Sequence, residues 1–404
     1  MSYSRKNVRN VLLYHRDGMS DKFVSTRVKE IPPSGIRKFF DLVLEMDGVI
    51  SLGVGEPDFV TPWHIREACI YSLEKGMTSY TSNLGLLELR ELISKCYRND
   101  YDIDYDPGSE ILVTTGVSEA ADLAFRAIIN PGDEIIVPEP CYVSYKPSVF
   151  LAGGVPVPVP TYCENEFRAG ADQIKESITE RTKALVLSYP NNPTGAVMRK
   201  SDLEEIADVV VENDLAVISD EVYGKLTYDG SHTCFSSLSG MKERSIILNG
   251  FSKSHAMTGL RLGYAAGSEP LIAAMTKVHQ YSMLCAPVTA QMGGIEALKN
   301  GDGEMKKMVR EYDRRRRLIV RGLNKLGLEC FEPKGAFYAF PSIKSTGMTS
   351  EQFASRLLKE QKVAVVPGDV FGGCGEGYLR CSYATSREEL IEALGRMEAF
   401  IDSL

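Results

Sequence analysis

The sequence lacks three features that mark other classes of protein. None of its apolar runs approaches the about 18 residues that a membrane-spanning helix needs. Its nine cysteines include no C-x-x-C pair, which argues against a zinc site and against a disulfide framework. Its formal net charge of -8 leaves no basic surplus for a nucleic-acid partner. We therefore expect no membrane, metal or nucleic-acid site, and the scattered cysteines indicate a reducing cytoplasm.

The first 23 residues also lack the long apolar core of a secretory signal peptide, since their only apolar run is 11–14. We treat 1–23 as an N-terminal arm. Its arginines and serines are compatible with a transit peptide, whereas Asp17 and Asp21 argue against one. Met19 is a second candidate for the true start of the chain, so both questions stay open.

What the chain does contain is an ordinary globular composition, with 44% hydrophobic and 25% charged residues among 404. From residue 110 onward, short β-branched runs alternate with amphipathic helices. The runs are 111–116, 134–138, 155–160, 184–190, 215–221 and 245–250. One intervening helix is predicted over 201–213, with Ser201 and Glu204 as its capping box. This alternation predicts an α/β fold in which a mostly parallel sheet is sandwiched by helices.

Ligands of such sheets bind at the carboxyl ends of the strands, where this sequence has chemically active side chains. Gly116, Val117 and Ser118 follow the first run and open a helix, so free N–H groups and a hydroxyl meet at a helix N-terminus suited to a phosphate. The residues that follow the later runs are Tyr142, Asn192, Asp220, Tyr223 and Lys253. Each has an ordinary explanation by itself, such as a core aromatic or a surface acid. Together they form one candidate site.

Lys253 is the residue around which this candidate site is organised. It lies in a Gly/Ser turn after the apolar run 246–248, and Arg261 follows eight residues later. Taken alone, this segment favours a surface lysine in a turn. A lysine buried at the end of a strand is costly unless its pKa falls or its nitrogen is covalently bonded, which makes it a candidate for Schiff-base chemistry. The other candidate residues at the carboxyl ends of the strands favour the interpretation as a Schiff-base lysine.

The combination matches the requirements of pyridoxal 5'-phosphate. A lysine can form a Schiff base with the aldehyde of this cofactor, and an aspartate beside the ring nitrogen keeps that nitrogen protonated. A tyrosine and an asparagine can hydrogen-bond to the phenolic oxygen, while an arginine and a helix N-terminus can hold the phosphate. The sequence therefore predicts a pyridoxal-phosphate enzyme.

Several segments, over nearly the whole chain after residue 24, resemble the class I aminotransferases of the fold-type I pyridoxal-phosphate enzymes. They include SLGVGEPDF, NPGDEIIVPEPCYVSY, NNPTGAV, ISDEVY, NGFSKSHAMTGLRLGY, PKGAFYAFP, VAVVPGDVFG and LRCSYATS. The ordered set NNPTG, SDEVY and SKx(7)R is highly specific. Within the class, the chain is most similar to the archaeal aromatic aminotransferases and their aspartate-aminotransferase relatives.

The resemblance implies a two-domain, dimeric architecture. A large domain, 61–300, would hold a seven-stranded sheet, and 24–60 with 301–404 would form a small α/β domain. A long helix over about 303–326 would link the two. Tyr80, which by itself is an exposed loop tyrosine, matches the residue that reaches the phosphate of the neighbouring subunit. The active sites of a homodimer would then be shared.

The resemblance also implies roles for individual residues. Lys253 would form the Schiff base and carry the proton between the substrate and the cofactor, and Asp220 would pair with the ring nitrogen. Tyr223 and Asn192 would bind the phenolic oxygen, and Tyr142 would stack on the ring. The phosphate would be held by Gly116, Val117, Ser118, Ser252 and Arg261.

For the substrate, Arg380 matches the arginine that grips the α-carboxylate bidentately, with Asn192 and the backbone of Gly55 beside it. From the residues alone, Arg380 is equally a strand-edge charge and Gly55 a plain turn glycine. Aspartate-preferring members of a neighbouring bacterial group carry a lysine at the position of Ser118, where this chain has no cation. This difference favours aromatic or broad neutral amino acids over aspartate.

We therefore predict a ping-pong aminotransferase that moves an amino group between such an L-amino acid and a 2-oxo acid such as 2-oxoglutarate. An aspartate aminotransferase is the first alternative. A pyridoxal-phosphate-dependent β-lyase and a non-catalytic regulator of the same fold are the others, and retention of the lysine and aspartate argues against the regulator.

Overall fold

The computed structural model describes residues 21–33, 35–36 and 46–404. The arm predicted over 1–23 therefore lies outside the described residues except for a 3-10 turn, Asp21–Phe23. The candidate start at Met19 also lies outside them. None of the helices in the described ranges is both long enough and apolar enough to cross a membrane.

The described helices are α1 (Thr26–Lys29), α2 (Trp63–Glu74), α3 (Leu87–Tyr101), α4 (Val117–Ile128), α5 (Tyr145–Leu151), α6 (Ala171–Glu176), α7 (Lys200–Glu212), α8 (Glu269–Ser282), α9 (Val288–Asn300), α10 (Asp302–Lys325), α11 (Ser350–Gln361) and α12 (Arg387–Ile401). The strands are β1 (Ile50–Ser51), β2 (Ile111–Thr114), β3 (Glu134–Glu139), β4 (Val155–Pro160), β5 (Thr182–Ser188), β6 (Ala216–Asp220), β7 (Ser245–Gly250), β8 (Gly263–Gly267), β9 (Tyr338–Ala339), β10 (Val363–Ala364), β11 (Val366–Pro367) and β12 (Leu379–Ser382). Short 3-10 turns span Cys163–Asn165, Phe235–Ser237, Thr258–Leu260, Lys344–Thr346, Gly368–Phe371 and Gly373–Gly375.

The main sheet has seven strands in the order β2-β8-β7-β6-β5-β3-β4. All neighbouring pairs are parallel except those of β8, which runs antiparallel to both β2 and β7. The prediction of an α/β fold with a mostly parallel seven-stranded sheet is confirmed. The reversed direction of β8 means that β7 ends, and β8 begins, at the same edge of the sheet.

Both faces of this sheet are mostly buried except at the edge strand β4, as expected for near-continuous apolar strands. Successive side chains of a strand point to opposite faces. Ile246 and Leu248 of β7 accordingly pack into the core beneath α4, α5 and α8. Ile247, between them, packs into the core formed with α3, α7 and α9. Helices therefore pack against the sheet from both sides and fix where its strands end.

A third core lies against the C-terminal part of the chain. It is formed mainly by α10, α11 and α12 around the antiparallel sheet β11-β12-β9, and it includes Ile50 and Leu52 from the parallel pair β1-β10. Residues of β6–β7 loops, such as Tyr223 and Leu226, also pack into it. The division into 61–300 and 24–60 plus 301–404 stays a prediction.

The start of α7 differs from the prediction. The helix begins at Lys200, one residue before the predicted capping serine. The carboxylate of Asp202 accepts a hydrogen bond from the backbone N–H of Arg199 at 3.2 Å, which closes the first turn. Glu204 instead forms an ion pair with Lys200 at 3.7 Å. The predicted capping box of Ser201 and Glu204 is therefore wrong, because the acceptor is Asp202, two residues before Glu204.

Candidate active site

A cavity of about 760 Å³ opens at the carboxyl edge of the seven-stranded sheet. It brings together most of the side chains that the sequence predicts for the site. Those that line it are Gly55, Val117, Ser118, Tyr142, Asn192, Asp220, Tyr223, Ser252, Lys253, Arg261 and Arg380. Gly116 lies against Arg261 at its edge. Tyr80 is elsewhere, in a loop before α3, with 82% of its surface exposed.

Lys253 projects into the cavity from the connection that follows β7. Its Nζ donates a hydrogen bond to the carbonyl oxygen of Gly55 at 2.6 Å. Burial lowers the pKa of Lys253 to about 8; Glu56 opposes this shift, whereas the positive charges of Arg380 and Arg261 add to it. About a tenth of the lysine is therefore the neutral, nucleophilic amine at pH 7, far more than for a lysine with an ordinary pKa.

Asp220 ends β6 and is buried next to this lysine. Its Oδ1 accepts the backbone N–H of Val222 at 3.1 Å, and its Oδ2 accepts the hydroxyl of Tyr145 at 2.8 Å. Burial raises the pKa of Asp220 to about 6, although these two hydrogen bonds favour the ionised form. A buried carboxylate with this environment is suited to hold a cationic N–H group.

A cradle for an anion forms where β2 gives way to α4. Gly116 has φ 80° and ψ 166°, a backbone conformation that favours glycine. A Cβ atom at Gly116 would lie 2.6 Å from Nη2 of Arg261, so the guanidinium approaches the backbone directly. Val117 and Ser118 begin the helix without a side-chain cap, which leaves their N–H groups directed toward the cavity end of α4. Helix N-terminus, arginine and hydroxyl together fit a phosphate.

Arg380, on β12, is held in a buried setting on the opposite side of the cavity. Its Nη1 donates to Oδ1 of Asn192 at 3.0 Å, and its Nη2 donates to the carbonyl of Gly53 at 2.6 Å. The guanidinium lies 4.7 Å from the ring centroid of Tyr338 and 4.9 Å from that of Phe371. Its Nε is buried and has no hydrogen-bond partner within the described part of the chain, whereas Nη1 and Nη2 each keep a second N–H group that a carboxylate could accept.

Three residues at the site were not predicted from the sequence. Tyr145 and Ser188 line the cavity, and the Tyr145 hydroxyl lies 2.9 Å from the Ser188 hydroxyl. Tyr338 places its hydroxyl 2.7 Å from that of Tyr223. Tyr145 lies in the CYVSY segment and Tyr338 in PKGAFYAFP, but no feature of either segment identifies its hydroxyl partner. The residue types needed for a metal do not gather here: within the described ranges, no three His, Cys, Asp or Glu side chains could hold an ion.

Comparison with known proteins identifies similar chains over almost the whole length. The family model for aminotransferase class I and II matches residues 47–397. An aspartate aminotransferase of Pyrococcus abyssi is 50% identical, over 93% of this chain and 97% of its own length. Aromatic-amino-acid aminotransferase 2 of Thermococcus litoralis is 47% identical, again over 93% of this chain and 97% of its own length. The crystal structure of an aromatic aminotransferase from Pyrococcus horikoshii OT3 is 48% identical, covers 91% of this chain and 99% of its own, and superposes with a TM-score of 0.87.

Proposed function

Because the chain belongs to the class I and II aminotransferases, which are pyridoxal-phosphate-dependent transaminases, we propose that it transfers the amino group of an aromatic or neutral L-amino acid to a 2-oxo acid such as 2-oxoglutarate. The transfer would follow a ping-pong course of two half-reactions, with pyridoxal 5'-phosphate as the cofactor. The observation that carries this proposal is the meeting of Lys253, Asp220 and Arg380 around one cavity. A lysine, an ion-pairing carboxylate and a carboxylate-binding arginine are the groups that this chemistry requires.

The residues around the cavity fit the cofactor. When bound, pyridoxal phosphate supplies a protonated ring that takes up the electron pair released from the substrate Cα–H bond. Asp220 would hold the ring nitrogen and its proton, while Tyr223 and Asn192 would bind the phenolic oxygen. Tyr142 would cover one face of the ring. The cradle of Gly116, Val117, Ser118, Ser252 and Arg261 would bind the phosphate.

Lys253 would carry out the proton transfer. Its lowered pKa, about 8, would make the free amine a competent base near neutral pH. From its position it would remove the proton at the substrate Cα and return one on the cofactor side. The hydrogen bond from Nζ to Gly55 O holds the amine in the cavity.

Arg380 would orient the amino acid through its α-carboxylate. The aromatic rings of Tyr338 and Phe371 hold the guanidinium in place, and Asn192 and Gly53 fix its rotation. A guanidinium has five N–H donors, and the bonds to Asn192 and Gly53 use two of them, so Nη1 and Nη2 each keep a second N–H group for the carboxylate. Fixing the substrate by its carboxylate leaves its side chain to be selected by the rest of the cavity.

The charges of the cavity support a neutral side chain. Among the described lining residues, the cations are Lys253, Arg261 and Arg380, and each already has a role in binding or proton transfer. Glu56 adds a negative charge at the same cavity. A second carboxylate on the substrate would therefore have no further cation to pair with among the described lining residues. It would also be repelled by Glu56.

Aspartate is the second candidate donor, because one relative that is 50% identical is named an aspartate aminotransferase. The deciding experiment ranks tyrosine, phenylalanine, alanine, leucine and aspartate by kcat/KM at a fixed concentration of 2-oxoglutarate. The proposal predicts that the aromatic or neutral donors exceed aspartate. An aspartate value above all of them would contradict it. Release of ammonia and pyruvate without a matching amino acid product would instead indicate the β-lyase alternative.

We also propose a cytoplasmic homodimer with shared active sites. Helix α2 exposes Trp63, Tyr71 and Leu73, each with more than half of its surface accessible, so these side chains are available for contact with a second copy. Tyr281 is 89% exposed and Tyr80 is 82% exposed. A second copy would cover these apolar side chains and bring Tyr80 to a cavity other than that of its own subunit. The nine unpaired cysteines support the cytoplasmic location.

A further inference from the structure

Tyr145 connects two parts of the candidate site that the proposed function uses. It begins α5, and its side chain is buried, with only 3% of its surface exposed. Its hydroxyl lies 2.8 Å from Oδ2 of Asp220 and 2.9 Å from Oγ of Ser188. Its ring meets the ring of Tyr142 edge-on, with 5.7 Å between centroids. One side chain therefore contacts both the proposed partner of the ring nitrogen and the proposed stacking aromatic.

The directions of these hydrogen bonds follow from the number of protons available. A tyrosine hydroxyl carries one proton and can donate only once, whereas its oxygen can accept. An ionised carboxylate can only accept. The Tyr145 proton is therefore donated to Asp220, and the Ser188 hydroxyl donates to the Tyr145 oxygen. This chain of donors runs from Ser188 through Tyr145 to Asp220.

The carboxylate of Asp220 is fixed at both oxygens. Oδ1 accepts the N–H of Val222, and Oδ2 accepts Tyr145. Two donors on different oxygens define the plane of the carboxylate and still leave lone pairs for a third donor from the cavity. We propose that Tyr145, supported by Ser188, is a positioning residue that holds Asp220 ionised and oriented toward the ring nitrogen of the cofactor. This inference rests on the proposed function, because it assumes that Asp220 meets that nitrogen.

The electrostatic surroundings explain why such support is needed. Burial and the adjacent Glu221 both raise the pKa of Asp220, while the hydrogen bonds from Tyr145 and Val222 and the charge of Lys253 lower it, and the balance lies at about 6. Tyr223, whose phenol is neutral, also faces this carboxylate. A protonated ring nitrogen is held by the ionised carboxylate, so cofactor affinity falls as the pH drops through the pKa of Asp220. Loss of the Tyr145 hydroxyl removes a stabilising donor and moves this fall to higher pH.

The test measures the dissociation constant of pyridoxal phosphate by equilibrium dialysis between pH 5 and 8. The proteins compared are the wild type, Tyr145→Phe, Ser188→Ala and Tyr105→Phe. Tyr105→Phe is the matched control: it removes the hydroxyl of another buried tyrosine, which does not line the cavity. Tyr145→Phe keeps the ring that packs against Tyr142 and removes only the donor. Thermal denaturation of each variant verifies that it is folded.

We expect Tyr145→Phe to bind pyridoxal phosphate about 10- to 100-fold more weakly at pH 7, with the midpoint of the pH dependence displaced upward. Ser188→Ala should displace the midpoint in the same direction but by a smaller amount. This variant keeps the proposal testable if Tyr145→Phe fails to fold. Tyr105→Phe should coincide with the wild type. Coincidence of Tyr145→Phe with the wild type, or an equal displacement by Tyr105→Phe, would overturn this inference alone. A wild-type protein that does not bind pyridoxal phosphate would overturn the proposed function as well.

Discussion

The carboxamide of Asn192 and the guanidinium of Arg380 are joined by a hydrogen bond of 3.0 Å, although 188 residues separate them in the chain. Asn192 follows β5 of the seven-stranded sheet, whereas Arg380 lies on β12 of the three-stranded sheet. The proposed phenolic-oxygen contact and the proposed carboxylate contact are therefore neighbours. A substrate bound to Arg380 would therefore lie next to the proposed cofactor site, because the segment that follows β5 is hydrogen-bonded directly to β12.

Replacing Arg380 with lysine tests the carboxylate contact. The lysine keeps the positive charge but loses the planar fork and the two hydrogen bonds to Asn192 and Gly53. We expect kcat/KM for every amino donor to fall by about 100-fold, mainly through KM, because the contact is to the α-carboxylate that all donors share. Steady-state kinetics with two donors of different side chain checks this. A loss confined to one donor would assign Arg380 to side-chain selection instead.

Lys253→Ala tests the covalent and proton-transfer roles together. We expect turnover to fall by about 100- to 10,000-fold, since the variant removes the proposed general base. Borohydride reduction of the wild type should attach pyridoxal phosphate to the peptide that contains Lys253, as measured by mass spectrometry. Lys225→Ala is the control, because that lysine pairs with Asp100 at 2.6 Å on the surface. Labelling of a different lysine would contradict the proposed site.

Mixed dimers test whether active sites are shared. Tyr80→Ala and Lys253→Ala subunits should each be weakly active as pure dimers. In a hybrid, the Lys253 of one subunit would meet the Tyr80 of the other, which restores one complete site per dimer. Random re-association should therefore recover about a quarter of the wild-type sites. Recovery should follow the fraction of hybrid dimers measured by native mass spectrometry, and its absence would mean that Tyr80 does not act across the interface.

Ser118→Lys tests the basis of donor choice. The substitution adds a cation to a cavity whose other described cations already have roles. We expect the ratio of kcat/KM for aspartate to that for tyrosine to rise about tenfold, which corresponds to about 1.4 kcal/mol. Measurements at saturating pyridoxal phosphate separate this effect from weaker cofactor binding. Ser118→Ala, which removes the hydroxyl without adding charge, should leave the ratio unchanged.

His255 predicts a pH dependence of stability that is separate from catalysis. Burial lowers its pKa to about 4, and Asp302, Lys225 and His64 are the charged or titratable groups that influence it. The unfolded chain, with an ordinary pKa near 6.5, takes up the proton first. The stability contributed by the neutral ring is therefore complete above pH 6.5 and is lost toward pH 4, on the order of 3 kcal/mol in total.

The matched variant for this prediction is His255→Asn, which can keep a hydrogen bond to Ser254 but takes up no proton. We expect its free energy of unfolding in urea to depend less steeply on pH than that of the wild type between pH 6.5 and 4. Equal slopes for the two proteins would show that the histidine does not take up its proton in this window on unfolding.

Much of the fold was predictable because it depends on two local features of the sequence, the apolar runs that form the strands and the polar residues that follow them. The β-branched runs that predict β2 to β7 mark those strands to within about two residues, since a buried parallel strand needs a continuous apolar segment. The rule that parallel strands present their carboxyl ends at one edge also predicted the gathering of Asp220, Asn192 and Lys253 around one cavity.

What was not predictable depends on contacts between distant segments. Tyr145 meets Asp220 across 75 residues, and Tyr223 meets Tyr338 across 115. A tyrosine in a sequence gives no indication of which group its hydroxyl reaches. The cap of α7 was missed for a more local reason, because several adjacent polar residues could each have closed that turn. The antiparallel direction of β8 likewise follows from the tertiary arrangement and from no property of its short apolar run.

That reversal at β8 has a mechanical consequence. Lys253 and Arg261 are carried by a single hairpin-like connection of β7 to β8, with seven residues between them. The length of this connection would therefore set the distance between Lys253 and Arg261. Lys253 would bind the aldehyde, and Arg261 the phosphate, of the same rigid small molecule. Adding or deleting one residue there changes the available chain by about 3.5 Å. His255 and Met257 within this connection are buried, so its side chains contribute to the core, while the number of residues between Lys253 and Arg261 would be set by the size of the small molecule that both contact.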